Sequence, residues 1–235
     1  QSRSSAASDV YKRQNVYISF LIGFVFLNAQ ASSLPKNAPI SVLSSIKTVD
    51  IEYTSEIATF DPTWVDSLSL SLPCYGIPVP KRTMRLPNAP RNYRNGTHRG
   101  LDFFANWGTP VRSVADGIVV RSDLHYEEVP ADFRENLLKA ATKVGYTPSD
   151  IFNSVLLGKS VFLDHGFDLI PGFRTISIYA HLSHIEKEIV PGAVVKRGEL
   201  LGKSGNTGMR ESTIGSKAGS HLHWEMILQL SLIHI

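Results

Sequence analysis

From about residue 84 onward the chain is written in short β-type runs cut by glycine and proline, and this texture constrains the fold more than any other feature. Residues 111–114, 117–121, 160–164, 175–181 and 222–228 are such runs. Trp107-Gly108-Thr109-Pro110 and Val190-Pro191-Gly192 punctuate them. Short strands bounded by turn residues read as a mainly β, antiparallel domain, here spanning residues 84–229. One block departs from the pattern. Pro130-Ala131-Asp132-Phe133 opens a helical pattern with Phe133, Leu137, Ala140 and Val144 on one side, and Gly145 stops it. Thr147-Pro148-Ser149-Asp150 then starts a second helix, with Thr147 as N-cap and Pro148 at the first helical position. A two-helix insertion over residues 124–158 is therefore expected inside the β domain.

The two ends need separate treatment. Residues 4–14 and 230–235 read as translations of one sequencing adapter in opposite orientations, so 1–14 and 230–235 are set aside from fold reasoning. Of the 24 Lys+Arg and 21 Asp+Glu, Arg3, Lys12, Arg13 and Asp9 lie in the first of these segments, which thus carries most of the formal net charge of +3. What remains is nearly neutral and gives no reason to expect a nucleic-acid partner, which requires a concentrated basic face. Residues 15–31 read NVYISFLIGFVFLNAQA, an uncharged apolar run followed by Ala29-Gln30-Ala31. This is the form of a secretory signal cleaved after Ala31. The run falls short of the roughly 20 residues a membrane span needs. Export to the periplasm, cell envelope or exterior is the expectation. Cys74 is the single cysteine, so no internal disulfide framework is expected and the thiol reads as buried or incidental. Residues 32–83, proline-rich and poorly patterned, read as a linker or small N-terminal region with short strands at 51–53 and 68–72.

The chemistry sits in three motifs. They are His98-Arg-Gly-Leu-Asp102, Tyr179-Ala-His181-Leu-Ser183 and His221-Leu-His223-Trp-Glu225. On a strand, His221, His223 and Glu225 share one face while Leu222, Trp224 and Met226 take the other. The two histidines stand about 6.6 Å apart along the strand, close enough to approach one centre, although a solvated strand face carries such pairs too. His98 and Asp102 lie about 13 Å apart on a straight strand, so joint action requires a bend near Arg99-Gly100. Gly100 offers no side chain to obstruct a metal. Taken alone, that pair is equally a His and an Asp in a glycine-rich turn. Together the motifs hold the ingredients of a catalytic zinc site, with two His and one Asp as ligands and an open position for water. Two further histidines are left for proton transfer and oxyanion stabilisation. There is no H-E-x-x-H, which excludes a helical zincin.

These motifs resemble the lysostaphin/LytM-like zinc endopeptidases over about residues 86–225. NGTHRGLDF, GTPVRSVADGIVV, VFLDHG, YAHLSHI, VVKRGELLGKSGNTG and SHLHWE occur in that family's order. The resemblance implies a compact antiparallel β peptidase domain with its groove over one sheet. It implies Zn2+ as cofactor, held by His98, Asp102 and His223, with His181 and His221 as catalytic residues. It implies hydrolysis of peptide bonds in the stems or cross-bridges of bacterial peptidoglycan. Some members use a tyrosine before the first ligand, for which Tyr93 is the nearest candidate. The helical insertion is a departure from minimal members; it is expected to wall or lid the substrate groove, and deletion of residues 124–158 to alter substrate preference while zinc is retained. The alternative on the same fold is a non-catalytic wall-binding or amidase-activating domain, but such members lose ligands and this chain keeps all five positions. A D-Ala-D-Ala carboxypeptidase would need a longer His-to-Asp spacing and a downstream Glu-x-x-His. Of the remaining polar groups, His165 is expected to end a strand, and His125 and His184 to be solvated. Glu225 is read equally as a support for the site or a strand-end charge. The Gly198–Gly208 stretch lacks the context of a phosphate loop and is expected to form hairpin turns.

Overall fold

The computed structural model describes residue 61, residues 63–66 and residues 68–230. The apolar segment 15–31, the expected strand at 51–53, residues 1–14 and residues 231–235 lie outside them. Eleven strands run through the described residues: β1 (Pro90–Arg91), β2 (Gly96–Thr97), β3 (Leu101–Phe103), β4 (Pro110–Arg112), β5 (Gly117–Ser122), β6 (Val161–Asp164), β7 (Phe173–Ala180), β8 (Leu182–Ile185), β9 (Val194–Val195), β10 (Leu200–Ser204) and β11 (Leu222–Leu230). They form a six-stranded sheet ordered β3-β11-β7-β6-β5-β9, a three-stranded sheet ordered β4-β10-β8, and the small β1-β2 pair. All pairings are antiparallel. The chain is thus mainly antiparallel β, as its punctuated runs predict. No helix among the described residues is long and apolar enough to cross a membrane.

The main core takes side chains from both sheets: Phe103, Leu163, Tyr179 and Leu222 from the larger, Val111 and Leu201 from the smaller. Tyr179 alternates with Ile178 and Ala180, which belong to a second cluster with Leu138, Phe152, Leu156 and Leu157 of the insertion. Because successive side chains on a strand point to opposite faces, β7 is buried on both. One face meets the main core and the other meets the insertion. Burying each large apolar side chain of that second cluster is worth roughly 1.5–3 kcal/mol.

The insertion contains the helix Ala131–Val144, ended by Gly145 at φ 86° with its N–H on the Ala141 carbonyl. A short helix Ser149–Ile151 follows and continues into a π-turn, Phe152–Leu156. Two details differ from the sequence reading. The buried face of the long helix carries Leu138 and Ala141, whereas Phe133 and Val144 are exposed. The apolar stripe read from periodicity is rotated by one residue because packing on β7 selects the inward face. Pro148, not Thr147, is the N-cap; the Thr147 hydroxyl instead donates to the Arg94 carbonyl at 2.6 Å.

Residues 68–72 are extended but join no strand ladder. Ser71 N–H reaches the Val114 carbonyl, and Leu70, Cys74 and Ile77 pack on the main core. Cys74 is fully buried, and burial pushes its thiol up to about 12. Gly198 does not close a hairpin between β9 and β10, since these strands lie in different sheets. It turns the chain from one sheet to the other, with its N–H on the Ser113 carbonyl.

Candidate active site

Register brings the motifs together. On β11, His223 pairs with Asp102 of β3 on one side and Ala180 of β7 on the other. Cross-strand partners share a face, so His223 and Asp102 stand side by side, with His181 one residue beyond Ala180. The bend expected after His98 falls at Gly100. Its reason differs from the sequence reading: a Cβ at Gly100 would lie 2.2 Å from the Trp224 carbonyl oxygen and 2.8 Å from Glu225 Cγ. The glycine lets the first motif pass close over β11 and returns His98 to Asp102.

His98 Nε2 lies 2.8 Å from Asp102 Oδ1 and 3.0 Å from His223 Nδ1, and His223 Nδ1 lies 2.9 Å from the same Asp102 oxygen. All three residues are buried. The outer nitrogens decide what this triangle is. His98 Nδ1 lies 2.8 Å from the Leu86 carbonyl. A carbonyl only accepts, so that nitrogen carries the proton and Nε2 of the neutral ring presents a lone pair. His223 Nε2 lies 2.8 Å from Glu225 Oε1, which by the same argument leaves Nδ1 with a lone pair. Three lone pairs, two nitrogen and one carboxylate oxygen, thus converge on one point. Such a set fits a cation and is poorly satisfied by hydrogen bonds alone. Among the described residues this is the group of ligand-type side chains with donor atoms all within 4.8 Å of one another.

Burial opposes charge on Asp102, but without a metal any proton taken up by His221, His223 or His98 is shared with this carboxylate, and those contacts outweigh burial and hold the carboxyl well below the usual carboxylate range. Burial likewise opposes charge on His223, yet with both ring nitrogens facing carboxylates, Asp102 and Glu225, a proton added to the metal-free ring is stabilised and the imidazole is raised above its ordinary value. Glu225 is itself buried and paired with Arg99 at 3.2 Å. Its place is therefore behind His223, not at a solvated strand end.

The other two histidines face the same point. His181 joins β7 to β8 at φ 59°, a left-handed conformation uncommon for a side chain bearing a Cβ. Its N–H is held by the Leu157 carbonyl at 2.9 Å and its Nδ1 by the Thr207 carbonyl at 2.8 Å. Nδ1 therefore carries the proton and Nε2 is the free acceptor. Burial, then the neighbouring His221 and His223, hold this imidazole well below its ordinary value, so it is neutral at neutral pH. His221 Nδ1 lies 2.7 Å from the Gly219 carbonyl and its Nε2 lies 3.5 Å from Asp102 Oδ1. The His181 and His221 rings stand 4.9 Å apart, centre to centre. All five residues singled out by sequence line one cleft of about 730 Å³.

The insertion supplies a wall of that cleft through Asp132, Glu135, Leu138 and Lys139, and Arg91 and Tyr93 line it from before the first motif. Tyr93 is exposed and borders a second, adjoining cavity as well. His165 stands apart as a structural residue, with Nδ1 2.6 Å from the Asp116 carbonyl and Nε2 2.7 Å from Ser177 Oγ. His125 and His184 are exposed. Sequence reasoning missed Arg99, Leu86 and Thr207, because groups that orient a histidine through its outer nitrogen leave no spacing signature.

Residues 96–233 match the family described as Peptidase family M23, and the chain belongs to that family. The match covers the whole site and most of the β domain. An uncharacterised metalloprotease of Haemophilus influenzae is 31% identical over 128 residues, which is 54% of this chain and 18% of that protein. Another, from Buchnera aphidicola, is 26% identical over 145 residues, 62% of this chain and 27% of the relative. The chain therefore spans only a minor part of the length of these relatives. Among solved structures, a zinc containing peptidase from Vibrio cholerae is 23% identical, with a TM-score of 0.35, over 56% of this chain and 27% of that one. The catalytic domain of the antimicrobial peptidase lysostaphin from Staphylococcus simulans is 20% identical, with a TM-score of 0.33, over 72% and 87%.

Proposed function

We propose that this chain is an exported, zinc-dependent endopeptidase that hydrolyses peptide bonds in the stems or cross-bridges of bacterial peptidoglycan. The observation that carries the reading is the convergence of three lone pairs at His98, Asp102 and His223 beside two further imidazoles of fixed tautomer. Membership of a peptidase family supports hydrolysis of a peptide bond.

His98, Asp102 and His223 would hold the metal; two nitrogens and one carboxylate oxygen suit Zn2+ and leave a coordination position open. Bound there, the metal supplies a Lewis acid that polarises the scissile carbonyl and acidifies water. The residues around it do the rest. His181 Nε2, neutral and unprotonated, accepts the proton lost by the attacking water and returns it to the leaving amine. His221, with its Nδ1 proton fixed on the Gly219 carbonyl, stands beside Asp102 and, on taking a proton from solvent at Nε2, donates toward the developing oxyanion. Leu86 and Glu225 hold the two ligand rings in the tautomers that expose the correct nitrogens. The apolar run and A-x-A at residues 15–31 are the basis for export.

The test is mass spectrometry of peptidoglycan fragments after incubation with the zinc-loaded protein. New amino and carboxyl termini within stem or cross-bridge peptides are expected, and a chelator should abolish them. Intact peptides in the presence of bound zinc would leave the chain as a wall-binding domain.

A further inference from the structure

The insertion touches more than the cleft. The Phe152 ring, buried in the π-turn, is met by two guanidinium groups, Arg99 at 4.3 Å and Arg94 at 4.9 Å from its centre. Arg94 precedes the first motif and Arg99 lies within it, so the two stand on either side of His98 in sequence, and each leads to a metal-site histidine. Arg99 pairs with Glu225 at 3.2 Å, and Glu225 holds His223 Nε2 at 2.8 Å. Arg94, itself buried, donates to the Thr97 carbonyl next to His98 and to Thr147 Oγ1 at 3.1 Å. Thr147 returns a hydrogen bond to the Arg94 carbonyl at 2.6 Å. Thus the segment from Thr147 to Phe152 grips both sides of the loop that carries His98.

We propose that the insertion is a strut for the metal centre, in which Phe152, stacked against Arg94 and Arg99, positions His98 and His223 through these two arginines. A guanidinium over an aromatic face is attracted by the ring quadrupole, more strongly when desolvated, and here two share one ring. The ring restricts Arg99 to the rotamer that meets Glu225, and Glu225 in turn fixes the orientation of His223. Phe152 and Arg99 are positioning residues; neither lines up with a reacting atom. The strut rests on the metal-site reading above and changes one expectation from sequence: removing residues 124–158 should cost metal as well as a cleft wall.

The test measures Zn2+ dissociation constants by competition with a chromogenic chelator, on the full chain and its variants. Melting temperature without metal is recorded for each. Phe152→Leu keeps an apolar side chain but removes the aromatic face; Phe152→Tyr keeps the face; Arg99→Gln breaks the Glu225 pair without opening the core. Loss of an outer partner of a metal ligand typically costs 10–100-fold in affinity. Phe152→Leu and Arg99→Gln are each expected to weaken Zn2+ binding by about that factor, and Phe152→Tyr to bind as the unaltered chain does. Because the two residues act in series, the double variant should lose less than the product of the single losses. Unchanged affinity in Arg99→Gln, or a double variant whose loss equals the product, overturns the strut. If Phe152→Leu does not fold, Arg99→Gln alone decides. Failure of the unaltered chain to bind Zn2+ would overturn the metal reading itself, and the strut with it.

Discussion

His221 and His223 stand two residues apart on one strand face, yet they hold different neighbours. His223 Nδ1 closes the triangle with His98 and Asp102, while His221 Nε2 stands 3.5 Å from Asp102 and beside His181. Removing a ligand leaves two donors, a poor zinc site. His98→Ala, Asp102→Ala and His223→Ala are therefore expected to lose zinc and hydrolysis together. His181→Ala and His221→Ala should keep near-stoichiometric zinc and lose activity by something like 10²–10⁴-fold. Atomic emission beside peptide hydrolysis on each purified variant reads this directly. Full zinc in His223→Ala with loss from His221→Ala would reverse the assignment. At Gly100 the expectation is steric: Ala there meets the Trp224 carbonyl oxygen at 2.2 Å. Gly100→Ala should lower the melting temperature and weaken Zn2+ binding together, whereas an effect on neither would mean the loop has room to shift.

Among elements, β6 carries a titration that does not depend on the metal. His165 follows that strand, and burial outweighs the Asp116 carbonyl to hold its imidazole below the ordinary value. Below about pH 6.5 the unfolded chain takes up a proton that the native ring resists. The stabilisation contributed by neutral His165 is present above that pH and is lost as pH falls through it. His165→Gln should be less stable than the unaltered chain at pH 7 by about 1–3 kcal/mol, and the gap should narrow toward pH 5. Urea midpoints at the two pH values measure it, and a gap that stays constant or widens would remove His165 as the source. The long helix makes a different point. Its start, end and existence were legible in Pro130, the apolar recurrence and Gly145, but its inward face was not. Leu137 and Leu138 compete for the core in any periodicity count, and only the shape of β7 beneath them favours Leu138.

At the scale of the molecule, a metal bound to residues from β3, β11 and the loop before β3 ties together segments far apart in sequence. Binding to the native state alone then adds stability, about 2.7 kcal/mol at a free metal concentration 100 times its dissociation constant. For a domain of this size that corresponds to a rise in melting temperature of roughly 5–10 °C. Thermal unfolding with Zn2+ and with a chelator is expected to show it, and the rise should vanish in His98→Ala. Export belongs to this scale too. In an exporting host, amino-terminal sequencing of secreted protein should begin at Ser32, and a start well before it would refute processing after Ala31.

The sequence by itself determined the fold class, the existence of the insertion and the five residues of the candidate site. Strand alternation, glycine and proline punctuation, and three ordered His/Asp motifs are local signals, and local signals survive in a linear string. Which nitrogen of each histidine points inward was decided by Leu86, Thr207, Gly219 and Glu225; Leu86 and Thr207 are distant in sequence from the rings they orient, while Gly219 and Glu225 are neighbours whose contacts depend on the local backbone path. The pairing of buried Glu225 with Arg99, the left-handed turn at His181 and the packing of Phe152 against two arginines form only in the tertiary structure, where the insertion covers one face of β7. Long-range packing sets these features because a side chain's partner across a sheet depends on register, and register is settled by the whole sheet at once.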